Sequence, residues 1–147
     1  MLARNSYPQA YIDACRSRVE SQVEAFRALA EATKETRAKT GGFDKTFDAL
    51  ESAFFNNMII VLDSYFVHRT RALEKNDGNP LNEVRVLANS MMLNEEMMMA
   101  DSTIKLNVAK SVLKYETGDK IRLNAQDFAL IFEAFFLELE RKFSAEE

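Results

Sequence analysis

The sequence predicts a mainly α-helical fold: a four-helix bundle-like domain with a short β-hairpin or ribbon inserted before the last helix. Three observations predict it. Apolar residues recur at three- and four-residue steps over four long stretches, and between residues 103 and 123 they alternate instead. Helix stops and starts separate the stretches: Gly41-Gly42, Asp77-Gly78-Asn79-Pro80 and Asn124. With 147 residues the chain suits one domain, 1–147. Eleven Phe, no Trp and two Pro suggest long uninterrupted elements around a Phe-rich core.

The first helix is expected over residues 8–39. Ile12, Cys15, Val19, Val23, Phe26 and Leu29-Ala30 form one narrow stripe, and Arg16, Arg18, Glu20, Glu24, Arg27 and Glu31 fill the solvated faces. Ser6 is the expected cap, with Pro8 in the first turn and Gly41-Gly42 as the stop. The single cysteine, Cys15, lies on the apolar stripe and reads as a small buried hydrophobe.

The second helix, 44–76, starts from an Asp44 cap and reads as the central one. Phe47, Leu50, Phe54, Met58, Val61 and Tyr65 make one stripe beside Phe55, Ile59, Leu62 and Phe66. Asn56 and Asn57 interrupt this apolar surface, and whichever is buried must be hydrogen-bonded. The third helix, 80–93, has Asn79 as cap, Pro80 at its first position and Glu83 where a capping-box acid reaches back.

Ile104, Leu106 and Val108, then Leu113 and Tyr115, then Ile121 and Leu123 alternate with polar residues around Gly118-Asp119. That pattern predicts the ribbon of about 103–123. The preceding Glu95-Glu96-Met97-Met98-Met99 reads as a loop or helix end tucked on the core, or else as a pliable binding surface. The last helix, 125–143, is capped by Asn124 with Asp127 three residues on; Phe128, Ile131-Phe132, Phe135 and Leu139 are expected to face the core, with Phe143 extending the stripe. Phe136 and Leu137 widen its apolar face beyond what four helices need, which motivates a homodimer.

Net charge is −4, unevenly placed: residues 1–45 hold eight bases and six acids, residues 124–147 two bases and six acids. No segment is a basic stripe, so a general electrostatic grip on nucleic acid or on an anionic membrane is not supported. The longest apolar run, Met58 to Leu62, is too short to span a bilayer, and Met1-Leu2-Ala3-Arg4-Asn5 begins no apolar leader. A cytoplasmic location is the default expectation. No metal ligand set, phosphate loop or cofactor motif is present, and Glu133, Glu138 and Glu140 read as a solvated face.

The stretch from His68 to Ser90 is the richest in mixed hydrogen-bonding groups and holds the single His. A tight elbow there would bring Asn82, Arg85 and Asn89 of the third helix towards His68 and Arg69 of the second. These five are the candidate ligand-binding residues, with arginine forks for an anionic group. The alternative is that Arg69, Arg71 and Arg85 pair with Asp63, Glu74, Asp77 or Glu83 and brace the turn.

Two resemblances bear on this stretch. Phe55-Asn56-Asn57-Met58, Val67-His68-Arg69 and Asp77 through Leu87, continuing through Lys114–Leu123 and Phe135–Phe143, look like an uncharacterised family of small actinobacterial helical proteins. The C-terminal two-fifths is similar to HEPN domains, commonly dimeric helical bundles of which many are metal-independent ribonucleases. Arg85 matches their signature Arg, and Gly118-Asp119-Lys120-Ile121 with Leu123 matches a hairpin that can follow it. Ser90 stands where the signature His would be, and serine does not transfer protons near neutral pH. The resemblance therefore implies a non-catalytic binding or interaction module, taking an anionic ligand or a protein partner. One alternative is a ribonuclease using Arg85 and His68, with RNA as its substrate; another is a purely structural homodimer.

Overall fold

Two short strands and six helices make up the regular structure among the residues that the computed structural model describes, 3–145. Met1 and Leu2, the start of the segment read as lacking an apolar leader, lie outside them. The order is β1 (Tyr7–Pro8), α1 (Gln9–Ala32), α2 (Lys34–Lys39), α3 (Phe43–Tyr65), α4 (Arg71–Glu74), α5 (Pro80–Leu93), α6 (Ala125–Phe143) and β2 (Ser144–Ala145). The mainly helical prediction agrees with this architecture. A four-helix bundle with an inserted hairpin does not describe it.

The strands pair in parallel, Tyr7 opposite Ser144, and join the two ends of the described chain. This pairing removes Ser6 from the expected cap of α1, which starts after Pro8 with no side-chain cap. The predicted 8–39 helix breaks at Thr33. Its hydroxyl donates to the Leu29 carbonyl at 2.8 Å, and such local side-chain bonds compete with helical geometry. Gly42, at φ +88°, starts α3 in the left-handed conformation, and Asp44 sits in the first turn rather than at the cap.

The predicted 44–76 helix ends instead at Tyr65. The backbone of residues 68–70 pairs with Arg4, whose N–H donates to the His68 carbonyl at 2.7 Å and whose carbonyl accepts from Thr70 at 2.8 Å. Those groups leave the helical ladder, and only the single turn of α4 follows. α5 and α6 match their predicted spans. Asn79 accepts from the Leu81 and Asn82 N–H groups, and Asn124 with Asp127 forms a complete capping box.

No ribbon forms over 103–123; this stretch is irregular apart from a 3-10 turn at Val108–Lys110. Its backbone groups go elsewhere. Residues 118–121 pair with 96–98, through Met98 N to Asp119 O at 2.7 Å and Ile121 N to Glu96 O at 2.8 Å. Lys105 N donates to Asn76 O at 2.8 Å. Gly78 allows that approach: a Cβ there would lie 2.7 Å from the Lys105 carbonyl oxygen.

One apolar cluster runs through the fold, built on Phe55, Ile59 and Leu62 of α3 with Phe66 just past its end, Leu81 and Leu87 of α5, and Phe128, Ile131 and Phe135 of α6. Each such side chain stabilises the fold by about 1.5–3 kcal/mol when fully buried. Cys15 is buried within it. Asn56 is buried too and fully bonded. Its amide N–H groups reach the Ile121 carbonyl at 2.9 Å and Glu96 at 2.8 Å, and its oxygen accepts from Leu123 N at 3.1 Å. Asn57 points to solvent.

Candidate functional site

The elbow between α4 and α5 closes around one carboxylate. Glu74 has no exposed surface. The Arg85 fork holds it, Nη2 to Oε1 at 2.5 Å and Nε to Oε2 at 3.1 Å. Asn82 donates to Oε2 at 2.8 Å, and Arg69 Nε lies 2.8 Å from Oε1. Arg69 also donates to Asp63 at 3.0 Å and to the Phe66 and Leu81 carbonyls. Two guanidinium groups thus face two carboxylates, and the group of four is electroneutral. Burial pushes the Glu74 carboxyl up, but the Arg85 hydrogen bonds and the Arg69 and Arg85 charges outweigh it and hold the group below its usual range.

Of the five candidate residues, the structure brings together Arg69, Asn82 and Arg85, and all three reach Glu74, Arg69 also holding Asp63 and two backbone carbonyls and Asn82 the Lys75 carbonyl. His68 lies outside the group: it is exposed, and its imidazole makes no hydrogen bond among the described residues. Asn89 is half-buried and likewise unbonded through its side chain. Ser90 is fully buried, donating to the Val86 carbonyl at 2.7 Å and accepting from Met99 N at 3.0 Å. Exposed Arg71 donates to Thr103 Oγ1 at 3.1 Å on the rim of a shallow hollow with Lys75 and Asp77.

Glu83 does not close a capping box. Its carboxylate crosses to the irregular segment and accepts the Val112 and Leu113 N–H groups at 2.8 and 2.9 Å. Burial raises its pKa, and those two bonds and the Lys114 charge only partly counter the rise.

The open concavity lies elsewhere, in a trench of about 840 Å³ between α1 and α6. Its floor is a row of rings along α6: Phe128 to Phe132 at 5.7 Å between centroids, and Phe132 to Phe136 at 4.9 Å. At one end Arg16 bonds Glu140 and sits 4.6 Å over the Phe136 ring. Leu137 stands on the rim, 73% exposed. Glu20 and Glu24 on α1 and Glu133 on α6 line the walls. Sequence reasoning took these acids for plain solvated surface; the hint it did register was the excess apolar width at Phe136-Leu137. Phe136 turns out buried and Leu137 free.

Among the described residues no helix is long and apolar enough to cross a membrane, and no three His, Cys, Asp or Glu side chains gather as a metal site would require. Compared with models of known families, with curated proteins and with solved structures, the chain matches none.

Proposed function

We propose that this chain is a non-catalytic helical interaction module whose working face is the trench between α1 and α6. The observation that carries the reading is the trench itself, where half-buried Phe132 and exposed Leu137 lie above the buried Phe128 and Phe136 rings. Exposed apolar surface of this kind, rimmed by polar residues, marks interaction sites. The HEPN-like character inferred from Arg85 and the Gly118-Asp119 segment points the same way, since Ser90 stands in place of the signature His that would transfer the proton. An anionic ligand at the elbow would have to displace Glu74 from Arg85, and that competition disfavours the arginine-pocket version of the reading.

The neutral dye Nile red tests the working face on the full chain. Binding is expected for the native chain and for Leu93→Glu, which changes an exposed apolar residue outside the trench. It should be lost in Ala129→Arg, which fills the trench from an exposed position. Equal dye binding in all three would contradict the reading. So would metal-free cleavage of RNA that disappears in both Arg85→Ala and His68→Ala with folding intact, the outcome the ribonuclease alternative requires.

A further inference from the structure

Resting on that reading, we infer that the occupant of the trench is an amphipathic helix of another protein, carrying Lys or Arg along both flanks. Length supports a helix. The trench runs along α1 from Arg16 to Arg27, which at 1.5 Å per residue is about 17 Å, three helical turns. A three-turn segment presents apolar side chains at i, i+3 or i+4, and i+7, and these can lie along Ala129, Phe132 and Leu137, above the buried Phe128 and Phe136.

Charge decides the flanks. The lining holds four glutamates and two arginines. Both arginines are engaged: Arg16 with Glu140 and Asp13, and Arg27 with Glu24 at 4.0 Å. Glu20 and Glu133 have no ion-pair partner among the described residues. They stand on opposite walls, so cations on both sides of a docked helix each meet a free carboxylate. A second copy of the chain fits less well, because it brings the same net −4 to the same acidic walls. An uncharged small molecule would leave the acids unused.

Selection of a displayed peptide library on the full chain tests this. The library fixes a helical framework and randomises both the apolar positions and the flanking charges. Expected is enrichment of Lys and Arg on both flanks around apolar i, i+3/i+4, i+7 positions. Affinity of the winners should fall with added salt and fall several-fold in Glu20→Lys/Glu133→Lys, two exposed positions whose reversal leaves the fold intact. Winners that bind the trench, judged by loss in Ala129→Arg, but show no preference for bases would overturn the basic-helix inference and leave the interaction-module reading standing. Winners indifferent to Ala129→Arg, or no enrichment over that variant, would overturn both. A dimer in sedimentation that Leu137→Glu dissociates would overturn the inference by naming a second copy as the occupant.

Discussion

The elbow and the trench hold the same kinds of side chain in opposite states. At the elbow, Glu74 and Asp63 are matched by Arg69 and Arg85, with Asn82 satisfying a further lone pair, and Glu74 and Arg69 are sealed from solvent. In the trench, Glu20 and Glu133 have no cation partner among the described residues, and half-buried Phe132 lies between them and the buried rings. A dense mixture of both charge signs therefore closes on itself and braces a turn. A lining with more acids than bases beside apolar surface leaves carboxylates for a partner to satisfy. Glu74 shows how thorough the closure is: even its backbone carbonyl accepts from Asn79 at 2.7 Å and from Lys142 of α6 at 2.8 Å.

The largest effect expected on this contrast is at the elbow. Glu74→Ala leaves two arginines buried without their carboxylate and should cost about 3–5 kcal/mol in urea unfolding at neutral pH. A loss below about 1 kcal/mol, the usual worth of an exposed pair, would move the elbow into the same class as the trench. Asn56→Ala comes next: it strands the buried Leu123 N–H and should cost about 1–3 kcal/mol. Asn57→Ala, one residue on and exposed, should stay within about 0.5 kcal/mol.

Acid titration of stability separates two of the buried carboxylates of the corner, Glu74 and Glu83. The Glu74 pKa is lowered in the fold, so its contribution is present above the ordinary glutamate range and is lost as pH falls through the folded value. The Glu83 pKa is raised, so its contribution is full below that range and is lost as pH rises through the folded value. Glu74→Gln should flatten the acid limb of the stability curve, and Glu83→Gln should flatten the decline on the other side. Matching changes in both variants would mean that the arginines do not set Glu74 apart. Smallest of all, His68→Ala and Leu137→Glu should each leave the melting temperature nearly unchanged, and only Leu137→Glu should alter binding at the trench.

Local signals carried much of the fold. Asn79-Pro80 and Asn124 with Asp127 are capping chemistry decided within four residues, and α5 and α6 begin where those residues say. The buried stripes of α3 and α6 follow from periodicity in the main, but Leu50 of the expected α3 stripe is exposed and Phe54, Val61, Tyr65 and Phe132 are half-buried. What could not be read depends on distant partners. Nothing near Tyr65 announces that residue 4 will take the backbone of residues 68–70. The alternation at 104–108 and 113–123 is real, yet neighbouring segments and the Glu83 carboxylate take those backbone groups. Of the elbow residues named from the sequence, Arg69, Asn82 and Arg85 meet at Glu74 while His68 and Asn89 do not, and pairing of the arginines with Glu74 and Asp63 was one of the two readings weighed. The trench was out of reach because its width depends on how far α1 stands from α6, which no local pattern encodes.

A double-mutant cycle on Glu74 and Arg85 addresses the contrast most directly. Urea unfolding of Glu74→Gln, Arg85→Gln and the double variant gives the coupling between the two side chains. The expected result is a double variant that loses less than the two single losses combined, by about 1–3 kcal/mol, as for residues in one buried network. Additive losses would contradict the closure of Arg85 on Glu74 and return that guanidinium to the list of groups free to hold a ligand.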